Sequence, residues 1–140
     1  MQHIEIGEKI AAQVTLTEAE ISEFARKCGD KNPLHFDKDY ASQTRFGGII
    51  ACGPHYASLL MGLSATYFSK NAAMLGLEFS FKFLKVVRAG ESLDLQWEVV
   101  EVVPKASLGG DIVSLSGKIT NQHGVEVLAA TGKVLVTPHL

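Results

Sequence analysis

The sequence predicts an α+β fold in which an antiparallel sheet wraps one central helix. Two observations lead there. In the second half of the chain, apolar and polar residues alternate: Leu77, Phe79, Phe81 and Phe83 with Glu78, Ser80 and Lys82, then Leu93, Leu95, Trp97 and Val99 with Asp94, Gln96 and Glu98. A period of two suits antiparallel strands with one wet face. In the first half, residues 54–68 carry Ala57, Leu59, Leu60, Met61, Leu63 and Ala65 on more than one helical face. A helix apolar on several sides is normally enclosed by protein.

The elements follow in order. Residues 10–15 read as a short strand. Thr17-Glu18-Ala19-Glu20 has the spacing of a capping box, in which the Thr17 hydroxyl and the Glu20 carboxylate satisfy opening backbone donors. Ile21, Phe24, Ala25 and Cys28 then fall on one helical face, and Gly29 ends that helix. A loop follows, Asp30-Lys31-Asn32-Pro33-Leu34-His35, in which Pro33 biases Asn32 away from the helical region. Gly47-Gly48 marks a turn, and Pro54 suits the first turn of the central helix. Beyond the first two alternating runs come Val113, Leu115, Gly117 and Ile119. The turn Asn121-Gln122-His123-Gly124 then leads into a last run over residues 125–137.

Composition narrows the function classes. Residues 1–140 are of a length for a single domain, with 46% hydrophobic and 20% charged residues, a globular balance. A net charge of −2 lacks the basic stripe of a nucleic-acid binder. The longest mostly apolar stretch, residues 46–63, is interrupted by Gly47, Gly48, Gly53, Pro54, His55 and Gly62, and falls short of a membrane span. The first nine residues carry Glu5 and Glu8 and no continuous apolar run of the secretory kind, so the expected compartment is the cytoplasm. Cys28 and Cys52 have neither the spacing of a zinc site nor the number of a disulfide framework.

Common catalytic signatures (a nucleophile elbow, a phosphate-binding Gly-rich loop, a zinc-protease helix) are absent from the sequence. The loop from Asp30 to His35 stands out instead. An acid and an imidazole within six residues can position a water and move protons, one accepting while the other donates. Asn32 can fix such a loop through bonds to backbone. Spacing alone leaves open an ordinary Asx-type turn with a surface histidine. Gly53, entering the central helix, offers an amide to an oxygen that gains negative charge, or simply makes a turn. His55 and Ser58 stand three apart on that helix, as pocket lining or as a satisfied core pair. Cys52 reads as a buried structural thiol, and Trp97 with the Phe79-Phe81-Phe83 stripe as core. His3, His123 and His139 read as solvated bystanders.

One further pattern covers nearly the whole chain. Gly29-Asp30-Lys31-Asn32-Pro33-Leu34-His35-Phe36-Asp37, followed by Tyr40-Ala41, Thr44-Arg45-Phe46-Gly47 and Ile50-Ala51-Cys52-Gly53, resembles the MaoC-like (R)-specific enoyl-CoA hydratases. Leu77-Glu78-Phe79-Ser80-Phe81-Lys82-Phe83 and Ala89-Gly90-Glu91-Ser92-Leu93 fit the same pattern. The resemblance implies a hot-dog fold, usually paired into dimers with an acyl-CoA or acyl-carrier thioester near the interface. It implies Asp30 and His35 as the catalytic pair, Asn32 as support for their loop, and the Gly53 N–H as oxyanion donor. The reaction implied is reversible addition of water to a 2-enoyl thioester, with no metal or redox cofactor; CoA arrives with the substrate. The chain departs from the family at Cys52, where many members carry His, and at Met61, where several short-chain hydratases carry a small polar residue. Both positions bear on the acyl pocket and leave chain length and physiological substrate open. Two other readings compete: a hot-dog thioesterase, disfavoured because residues 54–68 contain no Asp or Glu, and a non-catalytic acyl-binding subunit, disfavoured because Asp30 and His35 are both retained.

Overall fold

A computed structural model describes residues 3–140. Strand β1 (Lys9–Thr15) leads into helix α1 (Glu18–Cys28), a 3-10 turn (Pro33–His35), helix α2 (Lys38–Ser42) and helix α3 (Gly53–Phe68). Strands β2 (Ala73–Phe83), β3 (Ser92–Lys105), β4 (Gly110–Asn121) and β5 (Glu126–Thr137) complete one five-stranded antiparallel sheet in the order β1-β3-β4-β5-β2. The sheet curls around α3, giving the hot-dog arrangement. Among the described residues no helix is long and apolar enough to cross a membrane.

Register shows why the sheet has one dry face. A single row crosses all five strands as Ile10, Trp97, Gly117, Ala130 and Phe81, and these point toward α3. The neighbouring row, Lys9, Glu98, Ser116, Thr131 and Ser80, faces water. Trp97 is fully buried and donates its indole N–H to the Leu60 carbonyl of α3 at 2.7 Å, so a polar tip in the core is satisfied. Its ring packs against Gly117, where a Cβ would meet the indole at 2.5 Å, and Gly132 makes similar room for Phe79. The helix is therefore seated on rings that two glycines let down onto the sheet.

Three expectations are corrected. The aromatic stripe on β2 is not wholly core: Phe79 and Phe81 pack against the core, but Phe83 is 52% exposed. Phe83 is the last residue of an edge strand, and a register shift between Gly76 and Glu78 separately leaves Leu77 outside the ladder and 49% exposed. Strand β3 runs on past Val99 to Lys105, with a second irregularity between Val99 and Glu101 that interrupts its alternation. The central helix is not covered on every side within one chain, since Met61 is 38% exposed.

Candidate active site

The site begins with the way α1 ends. The capping box is formed: Thr17 Oγ1 accepts from the Glu20 amide at 3.1 Å, and the Thr17 amide donates to the Glu20 carboxylate at 3.1 Å. Those bonds hold the Glu20 carboxyl below its usual range. At the other end Gly29 takes the left-handed conformation (φ +79°) and the Asp30 amide reaches back to the Ala25 carbonyl at 2.9 Å. The helix stops there, and Asp30 follows directly at its end.

Two side-chain-to-backbone bonds then shape the loop. Asp30 Oδ1 accepts from the Asn32 amide at 3.0 Å, and Asn32 Oδ1 accepts from the Leu34 amide at 3.1 Å, capping the 3-10 turn that Pro33 opens. This turn carries His35 inward. Ser22 Oγ of α1 donates to the His35 carbonyl at 2.8 Å, and the Ile50 amide donates to the Leu34 carbonyl at 3.2 Å.

The imidazole is held at both nitrogens. His35 Nδ1 lies 2.7 Å from the Ile50 carbonyl oxygen, and Nε2 lies 3.1 Å from Asp30 Oδ2. A carbonyl can only accept, so Nδ1 carries the hydrogen and Nε2 is the nitrogen turned to the carboxylate. A hydrogen bond across the second gap requires one proton shared between Asp30 and His35. The imidazole is buried while the Asp30 side chain is 32% exposed, so water reaches the acid but not the back of the base.

The segment after Ile50 leads to the third component. Ala51 donates to the Val87 carbonyl at 2.8 Å and Ala89 to the Ile49 carbonyl at 3.1 Å, clamping residues 49–51 to the stretch before β3. Cys52 is the N-cap of α3, and Gly53 is its first residue, followed by Pro54. The Gly53 amide is thus one of the opening N–H groups that a helix leaves without an intrahelical acceptor. A Cβ on Gly53 would lie 2.7 Å from the Phe83 ring, so any larger residue here has to displace that ring.

Beside this group, the His55 ring stacks on Phe24 with centroids 4.3 Å apart, and its Nδ1 is buried without a partner. Burial holds its pKa below the usual imidazole value, with Glu20 pulling the other way. The expected His55–Ser58 pair is not a side-chain pair: Ser58 Oγ donates to the His55 backbone carbonyl at 2.7 Å.

The structure therefore brings Asp30, Asn32 and His35 together and joins them through Ile50 to the segment that opens α3 at Gly53. Sequence reasoning missed Ser22 and Ile50. Ser22 lies one residue past the apolar position Ile21 and carried no motif, and the Ile50 contribution is a backbone carbonyl that no side chain advertises. A concavity of about 520 Å³ on the outer sheet face, bordered by Lys9, Lys82 and Lys118, includes none of these residues. Among the described residues no group of three or more His, Cys, Asp or Glu side chains is placed to hold a metal ion.

Residues 2–122 match the family model described as the MaoC like domain. The chain is 32% identical over 136 residues to the (R)-specific enoyl-CoA hydratase of Aeromonas caviae, covering 96% of both proteins. It is 27% identical over 104 residues to the 3-hydroxybutyryl-CoA dehydratase of Methylorubrum extorquens, covering 74% of this chain and 66% of that protein. Among solved structures, an R-hydratase of Pseudomonas aeruginosa in the unliganded form superposes with a TM-score of 0.86 at 27% identity, covering 96% of this chain and 83% of that one.

Proposed function

This chain belongs to the MaoC-like domain family, and from that premise we propose that it is a hydro-lyase adding water reversibly to a 2-enoyl thioester, with Asp30 and His35 as its acid–base pair. The observation carrying the reading is the 3.1 Å contact between His35 Nε2 and Asp30 Oδ2, with the far nitrogen tied to Ile50. The names of two relatives, an (R)-specific enoyl-CoA hydratase and a 3-hydroxybutyryl-CoA dehydratase, support the substrate class.

The proposed chemistry uses the contact between these two groups. A water held at the exposed edge of the pair attacks Cβ of the conjugated thioester and gives up a proton to it. The pair returns a proton to Cα, so it ends each turnover as it began. Negative charge that builds on the thioester oxygen in between is met by the Gly53 N–H and the positive end of α3. No electrons are gained or lost overall, so the reaction asks for no redox cofactor, and CoA or a carrier enters only as part of the substrate. Asn32 acts through the loop, holding the Asp30 backbone and the turn that carries His35.

A homodimer belongs to the same proposal. Strand β2 lies at the sheet edge, with Leu75, Leu77 and Phe83 exposed on it and Leu84 exposed just past its end; Met61 on α3 is exposed as well. An apolar edge strand is a template for another strand, and a second copy supplies one. Phe83 touches Gly53, so that interface would adjoin the oxyanion donor and help enclose the acyl chain.

The test is direct. Purified protein is mixed with 2-enoyl-CoA thioesters of graded acyl length, and loss of the conjugated enoyl absorbance is followed. Stereospecific hydration is expected, with Asp30→Asn and His35→Ala each lowering the rate by about 10²–10⁴. Undiminished rates in both variants, or release of free thiol in place of hydration, overturn the reading.

A further inference from the structure

The chain's two cysteines, Cys28 and Cys52, take no part in the reaction proposed above. Their positions are nonetheless specific. Cys28 is the last residue of α1, two before Asp30, and Cys52 caps α3, one before Gly53. The two helices meet where Phe24 stacks on His55, with the rings 4° from parallel. Phe24 is one helical turn before Cys28, and His55 lies three residues after Cys52. Both cysteines therefore lie within about one turn of that ring contact along their own segments.

The Cys28 side chain comes near enough there to act on the Cys52 thiol as a hydrogen-bonding neighbour. The two sulfurs differ in access. Cys28 is exposed, with only a weak bond to the Ala25 carbonyl at 3.5 Å, whereas Cys52 is 2% exposed. Burial is the main reason the Cys52 thiol is pushed up to about 11, with Cys28 and Asp30 adding to it and the His55 amide opposing. Cys52 therefore stays protonated at neutral pH and does not start an oxidation; the exposed partner does.

We propose that Cys28 and Cys52 form a reversible disulfide driven by peroxide, which ties the Asp30 loop to the N-terminus of α3 and switches the site off. The Cys28 thiolate attacks one oxygen of hydrogen peroxide, the O–O bond breaks, and sulfenic acid forms with release of water after protonation. The Cys52 sulfur then attacks the sulfenic sulfur. The S–O bond breaks, and the departing hydroxide takes the Cys52 proton as a second water. Two thiols lose two electrons to one peroxide, and a dithiol reductant reverses the step by exchange. A disulfide sets its own Cα spacing and torsion, and here it would impose them on residues adjoining Asp30 and Gly53.

The experiment uses the full chain. Reduced protein is treated with hydrogen peroxide, digested without reductant, and the peptides are weighed; enoyl-thioester hydration is followed in parallel. A peptide joining Cys28 to Cys52, lighter by two hydrogens than its parts, is expected. The rate is expected to fall about tenfold or more and to return with dithiothreitol. Cys28→Ser is expected to keep the untreated rate and to resist peroxide, and Cys52→Ala to yield no joined peptide. Sulfinic acid at Cys28, a Cys28–Cys28 link between chains, or a joined protein at full rate overturns the proposal. The loss of rate rests on the hydratase reading, whose own failure appears as no turnover in untreated protein, while the joined peptide is read by mass either way.

Discussion

The Nδ1 of His35 is anchored 2.7 Å from the carbonyl oxygen of Ile50, fifteen residues further along the chain. That bond fixes the tautomer and also ties the Asp30 loop to the strand-like segment that opens α3. On the proposed reading, removing the imidazole breaks chemistry and a tether together. His35→Ala leaves a buried carbonyl unpaired and is expected to lose about 1–3 kcal/mol of stability in addition to its rate. His35→Asn can still donate to Ile50 and is expected to recover part of the stability with none of the rate. Urea unfolding of both variants checks this, and equal stability losses would contradict the anchoring role.

Asp30 and His35 act as one unit in the proposed reaction, so their losses should not add. The double variant Asp30→Asn/His35→Ala is expected to fall little below the worse single variant in kcat/KM. A multiplicative loss would mean that the two act independently.

Gly53→Ala drives a methyl group against the Phe83 ring, 2.7 Å from where that Cβ would stand. Overpacking of this kind costs about 1–3 kcal/mol. Adding Phe83→Leu is expected to restore most of the stability. A double-mutant cycle read by thermal unfolding gives the coupling, and a coupling near zero would show that the ring simply moves aside.

Burial holds the pKa of His55 below the usual imidazole value of 6.5. The unfolded chain therefore binds more protons than the fold as pH falls below that value. This contribution to stability is full above about 6.5 and is lost as pH drops toward the folded value. His55→Phe keeps a ring against Phe24 and removes the titration. Its denaturation midpoint is expected to fall less steeply on acidification than the wild type's, and parallel slopes would rule His55 out.

The exposed β2 edge predicts self-association. Light scattering after size exclusion is expected to give the mass of two chains, and Leu77→Lys to shift it toward one. A wild-type monomer would remove the interface from the proposed site.

Much of this was legible from residue order. The Thr17–Glu20 box, the Gly29 stop, the apolar run of α3 and the alternation from residue 93 onward appear where local pattern places them. Helix α2 was not legible, because its five residues carry no amphipathic period and its one signal is the Asp37 side chain capping Tyr40. The far half of β3 was hidden by its own irregularity, which breaks the period of two at Val99. In the site, Asp30, Asn32 and His35 are close in sequence and could be seen as a group. The Ile50 carbonyl and the Ser22 hydroxyl join them only after the chain has folded back, and residue type at those positions says nothing of it.

Trp97 is the only tryptophan in the chain, and its indole N–H is bonded to the middle of α3. Its emission therefore comes from one place, the seam between sheet and helix. Any event that loosens that seam, whether denaturant, acid or a core substitution, exposes the ring to water and shifts its fluorescence to the red. The protein thus carries a built-in optical gauge of whether its sheet still grips its helix.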